Sequence, residues 1–169
     1  HSPQGAEVDI ATRLERDYGL TGLYPVGRLD KDSEGLMIVT NDGRVTEPLL
    51  DPARAIEKTY DVTVDKHVTK QFLKRIERGV NIEGYRTKPA RAEQKSLQRF
   101  LLTITEGKKH QIRRMCAALD RRVLRLVRTA IGPIVDSALT PGAASGDGAR
   151  WRDLARDAVE ELEMPGWRG

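Results

Sequence analysis

Asp30 closes the run Gly27-Arg28-Leu29-Asp30, with a second glycine at Gly35 and an apolar run, Leu36 to Thr40, behind it. Alone, an aspartate in such a place is a turn or cap residue. Two further stretches change its weight. "GKKHQIRRM", Gly107 to Met115, is a glycine-led turn into a helix. It offers Lys108, Lys109, His110, Arg113 and Arg114 to phosphates. Tyr60 lies mid-strand in "KTYDV" beside Lys58. An aromatic there belongs to a core or stacks on an extruded base.

Other chemistries lack their parts. His1, His67 and His110 are isolated, so no metal site is expected. Gly27 and Gly35 lack the lysine and hydroxyl ending of a phosphate loop. No Ser/His/Asp order is convincing. The single cysteine, Cys116, excludes an internal disulfide and sits in an apolar helical context, as a buried structural thiol would.

The chain has 169 residues, 38% hydrophobic and 32% charged, with a formal charge of +4. That suits one domain with room for two lobes. The charge is lopsided. Between Gly107 and Arg128 stand eight Lys/Arg and one acid, Asp120, whereas Asp153 to Glu163 is acidic. A local basic block implies a polyanion-binding face. No run reaches membrane-spanning length and no signal peptide is visible, so a cytoplasmic setting is the expectation.

The elements that must position these residues follow from periodicity. Helices are predicted over Val8–Tyr18, Arg44–Leu50, Thr69–Arg78 (capped by Thr69, ended by Gly79) and Lys108–Leu119, with a last one near Asp153–Met164. Strands are predicted over Leu36–Thr40, Glu57–Asp65, 80–83, 86–95, 98–105 and Val123–Ile131. Residues 140–149 read as a Gly/Ala/Ser linker. Strands outnumber helices and are joined by short connections. The expected class is α+β with a mostly antiparallel mixed sheet and flanking helices.

With these elements in place, the chain resembles the bacterial ribosomal RNA pseudouridine synthases of the RsuA/RluB/RluE/RluF family. The residues that carry the resemblance are "GRLDKDSEGLMIVTNDG", "EKTYDVTV", "TEGKKHQIRRMCAAL" with "VLRLVRTAIG", and "WRDL" at Trp151–Leu154. They occur in the family's order, over about residues 1 to 157. The Lys31-Asp32-Ser33 variant and "QIRRMC" lean toward the RluF-type branch that modifies large-subunit RNA.

The resemblance implies a pseudouridine synthase catalytic domain. It would be a monomer acting on ribosomal RNA, with no cofactor and no membrane. Asp30 would be the catalytic carboxylate, Tyr60 would pack on the target uracil, and Arg113 would pair with Asp30. Ile112 would line the base pocket, and Arg28 would contact RNA near the flipped nucleotide. Lys108, Lys109, His110 and Arg114 would hold the backbone. The N-terminal S4-type domain and Lys-Pro strand of the family are expected to be missing from this chain.

Other readings stay open at this level. One is a non-catalytic RNA-binding module, which leaves Asp30 without a task. Another is a hydrolase pairing Asp30 with Asp32 or Glu34. A third is the same isomerisation on small-subunit RNA or transfer RNA.

Overall fold

The computed structural model describes residues 10–27, 29–132 and 134–135. The linker 140–149, the last helix, "WRDL", Arg28 and the first two residues of the first predicted helix lie outside the described residues. The chain divides into two compact units. Within the described residues, one comprises 10–27 and 37–54, and the other 29–36 and the chain from Ala55 onward.

The first unit holds helix α1 (Ile10–Tyr18), strand β1 (Tyr24–Val26), strand β3 (Ile38–Thr40) and helix α2 (Gly43–Leu50). Strands β1 and β3 pair antiparallel, with Pro25 opposite Val39. Leu14, Val26, Ile38, Val39 and Leu49 are its buried apolar side chains. Asp42 caps α2 by accepting the Arg44 N–H at 2.9 Å, as a short acidic side chain does at a helix start.

The second unit is built on a six-stranded sheet. Its central strand is β4 (Lys58–Val64), antiparallel to β8 (Arg99–Ile104) and to β9 (Val123–Ile131). Strand β7 (Arg91–Ser96) lies outside β8, and β10 (Ile134–Val135) outside β9. A two-residue strand, β2 (Glu34–Gly35), joins β9 in parallel. The small hairpin β5 (Asn81–Ile82) and β6 (Tyr85–Arg86) stands apart as its own pair.

Alternation along β4 and β8 sends Val62, Val64, Phe100 and Leu102 to one face. Helices α3 (Lys70–Arg78) and α4 (Gln111–Ala118) supply Phe72, Ile76, Ile112, Met115 and Cys116 to the same core. The Phe72 and Phe100 rings meet edge to face at 5.3 Å, a favoured aromatic geometry. On the other face Thr59 and Thr103, directly opposite in register, share a 2.9 Å hydroxyl bond. Thr69 caps α3 by accepting the Phe72 N–H at 3.0 Å.

The α+β class with mostly antiparallel strands holds. Four local expectations change, the first being the strand predicted at 86–95, which falls into β6 (Tyr85–Arg86) and β7 (Arg91–Ser96). The strand predicted at Leu36–Thr40 shortens to Ile38–Thr40 in the first unit, and a separate strand, Glu34–Gly35, precedes it in the second. The break between them falls beside Leu36, whose N–H donates to the Arg128 carbonyl at 2.8 Å. The fourth helix begins at Gln111 rather than Lys108, because His110 takes a left-handed conformation (φ 52°, ψ 34°). Strand β1, too short to show an alternating pattern, goes unpredicted.

At Gly35 the closure of the main sheet demands glycine. Its φ is +113°, and a Cβ there would lie 2.2 Å from the Arg128 carbonyl oxygen and 2.6 Å from its nitrogen. Backbone atoms on a paired strand cannot yield by that much. Gly35→Ala should therefore destabilise the protein by about 3 kcal/mol, about 10 °C in melting temperature. Gly43→Ala, where a Cβ meets nothing within 4 Å, should leave the melt unchanged or slightly higher. Equal melts for the two would remove the close approach at Gly35.

Cys116 is wholly buried. Burial pushes its thiol up from 9.0 to about 12, against the opposing pull of Arg113 and Arg121. The folded state thus holds the proton more tightly than the unfolded chain. The resulting stability is complete below about pH 9 and is lost as pH climbs toward 12. Native protein at pH 8 should resist iodoacetamide until denaturant is added, and Cys116→Ala should flatten the fall in melting temperature above pH 9. Rapid labelling of native protein would contradict the burial.

Candidate active site

The second unit brings most of the chemistry-bearing residues to the segment 29–36. Asp30 opens a tight turn in which the Ser33 N–H donates to the Asp30 carbonyl at 2.9 Å. Its carboxylate is part-exposed, and Oδ1 stands 3.7 Å from His110 Nε2. The left-handed backbone of His110 places that ring at the mouth of α4. Such a conformation is uncommon outside glycine and is retained where surroundings enforce it.

Arg113 reaches the same turn by another route. Its Nη2 donates to the Asp32 carbonyl at 2.6 Å, and Nη1 to the Val123 carbonyl at 3.4 Å. The expected pairing with Asp30 is thus replaced in this structure by a hold on the turn's backbone two residues away. Arg113 Nε and Ser33 Oγ are buried without a hydrogen-bond partner.

The far end of the segment is held by a residue that the sequence motifs contain but do not distinguish. Arg128 on β9 is only 4% exposed. Its Nε and Nη2 both donate to the Leu36 carbonyl, at 2.9 and 2.7 Å. Burial draws its pKa down, while the charge and side-chain hydrogen bond of Tyr60 oppose that. A guanidinium remains protonated at neutral pH regardless. Tyr60 lies opposite Arg128 in the β4–β9 register, beside a bulge between Thr59 and Tyr60. The extra residue, Thr129 on β9, bends the pairing at that point. Lys58, on the same strand, is also drawn down, first by burial and then by Arg128.

The turn before α4 has its own clamp. Glu106 accepts from the Tyr85 hydroxyl, from the Lys88 N–H at 2.7 Å and from the Gln111 amide at 3.0 Å. Burial would raise its carboxyl, yet these donors together hold it below the usual range. Gln111, 4% exposed, also accepts the Lys108 N–H at 3.0 Å. Lys108 Nζ lies over the Tyr85 ring at 4.8 Å.

The remaining expected residues fall in different places. Lys108 and Lys109 are exposed on the turn. Ile112 is buried in the core. Arg114 points to the β5–β6 turn, where Nη1 meets Glu83 Oε2 at 3.2 Å. Arg28 lies outside the described residues. Arg128 was legible only as a basic residue in an apolar strand pattern, "RLVRTAI". A lone arginine at an inward-facing strand position is the signal that could have found it.

Residues 3–118 match the RNA pseudouridylate synthase family. The chain belongs to that family. It is 39% identical over 170 residues to an uncharacterised RNA pseudouridine synthase of Bacillus subtilis, YtzG, covering 97% of this chain and 67% of the relative. To the dual-specificity RNA pseudouridine synthase RluF of Escherichia coli it is 37% identical, covering 83% of this chain and 46% of RluF. The ribosomal large subunit pseudouridine synthase B of Bacillus subtilis is 40% identical over 112 residues, covering 63% of this chain and 46% of that enzyme. A crystal structure of a pseudouridylate synthase, 35% identical, superposes with a TM-score of 0.68 over 79% of this chain and 60% of that one. The chain thus spans about half to two thirds of the relatives it matches. An archaeal box H/ACA Nop10–Cbf5 structure, 19% identical with a TM-score of 0.55, shares the fold over 91% of this chain and 50% of that one.

The two arginines have separable duties toward the segment 29–36. Arg128→Met would leave the Leu36 carbonyl buried and unpaired, and should cost about 3 kcal/mol, about 10 °C in melting temperature. Arg113→Ala, which releases bonds to a turn and a strand end, should cost about 1 kcal/mol. Thermal melts of both variants check this, and the reverse order would make Arg113 the structural holder.

Proposed function

We propose that this pseudouridine synthase isomerises a uridine of ribosomal RNA, with Asp30 as its catalytic carboxylate. The observation that carries the reading is the arrangement around one segment: Asp30 facing His110, with Arg113 and Arg128 gripping the backbone on either side. The reaction breaks the N1–C1′ bond, turns the uracil and rejoins it through C5. N1 gains a proton and C5 loses one, so the exchange is an isomerisation that consumes no redox equivalent.

Asp30 serves at the sugar–base junction, as nucleophile at C1′ or as base toward a sugar proton. Both roles need an ionised carboxylate. Arg113, held on the Asp32 carbonyl, places a guanidinium at the same turn. Tyr60, with its hydroxyl engaged by Arg128, offers its ring to the uracil and a route for the C5 proton. The target base must leave its stack, at a cost of about a few kcal/mol. Ring contact offsets part of this. Lys108 and Lys109 on the exposed turn hold phosphates, so binding should weaken with salt. Arg114 contributes less, its charge being answered by Glu83.

The relative named as a ribosomal large subunit pseudouridine synthase favours large-subunit 23S RNA as substrate. We further infer a monomer working in the cytoplasm, where bacterial ribosomal RNA lies. Among the described residues no helix is long and apolar enough to cross a membrane.

Asp30→Asn should abolish isomerisation, by at least about a thousandfold, while RNA affinity changes less than about threefold. Nucleoside analysis of 23S fragments incubated with each protein tests it. Pseudouridine from the variant at the wild-type rate would remove Asp30 from the mechanism. Binding without product from the wild type would favour a non-catalytic RNA-binding module.

A further inference from the structure

Helix α3 carries Lys70, Lys74, Arg75 and Arg78 against one acid, Glu77. None of these cations belongs to the site above. Arg75 and Arg78, with Arg86 of β6, line an open cavity of about 450 Å³ whose other walls are Gly79, Val80, Asn81, Ala118 and Leu119. No acid lines it. Among the described residues these three guanidiniums have no carboxylate within salt-bridge distance, and Arg86 touches only the Arg78 carbonyl, at 3.4 Å. The neighbouring acid, Glu83, is taken by Arg114.

A simple reason for arginines here is the helix ends. Both α3 and α4 finish at this cavity, each presenting about half a negative charge. Three guanidiniums exceed that sum by about two charges. The surplus is a standing demand for an anion. The floor, Val80 and Leu119, is apolar and buried, so the site offers an apolar surface to a sugar or base as well as charge.

The cavity stands at the C-terminal end of α4, while His110 and Arg113 mark the other end. Eight residues of helix put the two about 12 Å apart, a span that one RNA strand bridges in a few nucleotides. Flat guanidinium forks suit phosphate oxygens better than single ammonium groups do. We infer that this three-arginine cavity is a second RNA-backbone site, holding phosphates that flank the target uridine. The inference rests on the RNA substrate proposed above. It assigns to α3 the positioning of the strand rather than the chemistry.

The test is titration of a labelled stem-loop RNA with a uridine-containing loop, across a range of salt, against wild type and the double variant Arg75→Gln/Arg78→Gln. Dissociation constants should rise about 10-fold at low salt. The slope of log K against log salt should flatten by about 1.4 to 1.8, from 0.7 to 0.9 for each phosphate that is no longer neutralised. Arg91→Gln/Lys95→Gln removes the same charge from β7 and should change the slope little. An unchanged slope in the α3 variant, or equal change in both, would overturn the site. Far-ultraviolet circular dichroism and melts of both variants ensure that folded proteins are compared. Retained RNA binding in both variants with capture of an acidic peptide lost only in the α3 variant would reassign the cavity to protein. The predicted slope loss, with no pseudouridine from wild type, would sink the functional reading and leave the cavity standing.

Discussion

One buried guanidinium organises this unit. Arg128 sits in the interior of β9 with almost no exposure and gives two hydrogen bonds to one carbonyl, that of Leu36. Burying a cation costs several kcal/mol unless its protons are satisfied. The partners that satisfy it are the two features the site requires: the end of the Asp30 segment and the Tyr60 side chain. An arginine with its partners in place therefore closes only one arrangement of segment and strand. A lysine would carry the charge without the fork, and would leave the geometry underdetermined.

The backbone enforces the same placement. Leu36 N–H donates to the Arg128 carbonyl while the Arg128 side chain donates to the Leu36 carbonyl. Gly35, with no Cβ, lets the two strands come close enough for both. At the opposite end Arg113 takes the Asp32 carbonyl. The Asp30 turn is thus pinned at both ends by side chains from elements that share one core. A carboxylate on a loop then gains the positional precision of a sheet, as a pre-organised site needs.

Much of this was readable in residue order, and what was not has identifiable causes. Strand β4 and helix α3 were legible from β-branched alternation and from a Thr69 cap with a Gly79 stop, and both lie within a residue of expectation. The Asp30, Tyr60 and Arg113 regions were legible as motifs because charged and polar residue types cluster there in a pattern that packing alone does not call for. Strand β2 was not, since two residues pairing in parallel with a strand ninety-odd positions away leave no local period. The start of α4 was misplaced because a left-handed histidine breaks the helix at a point where charge pattern continues smoothly. Arg128 hid in an apolar run for a related reason: its partners are a distant carbonyl and a distant phenol, and neither is visible from neighbours in sequence. The Arg114–Glu83 pair is invisible for the same reason.

The distribution of charge explains why the acids of this unit sit where they do. A proposed catalytic carboxylate needs cations near it, and RNA needs them too, so the active face favours few competing acids. Glu106 lies within the same motif as Lys108 and Lys109, yet its oxygens are occupied by Tyr85, Lys88 and Gln111. Fixed there, it holds the base of the turn and leaves the lysines outside it unpaired with it. Asp61 is handled similarly on the opposite face of β4, where Arg99 Nε meets it at 2.8 Å. Asp30 differs from both: its carboxylate is part-exposed, with His110 Nε2 at 3.7 Å. An acid used for structure is saturated with donors, whereas one held for reaction keeps an approachable oxygen. On that criterion Asp30 differs from Glu106 and Asp61, as the proposed role requires, and the pinned segment beneath it keeps its oxygen approachable without the turn collapsing onto it.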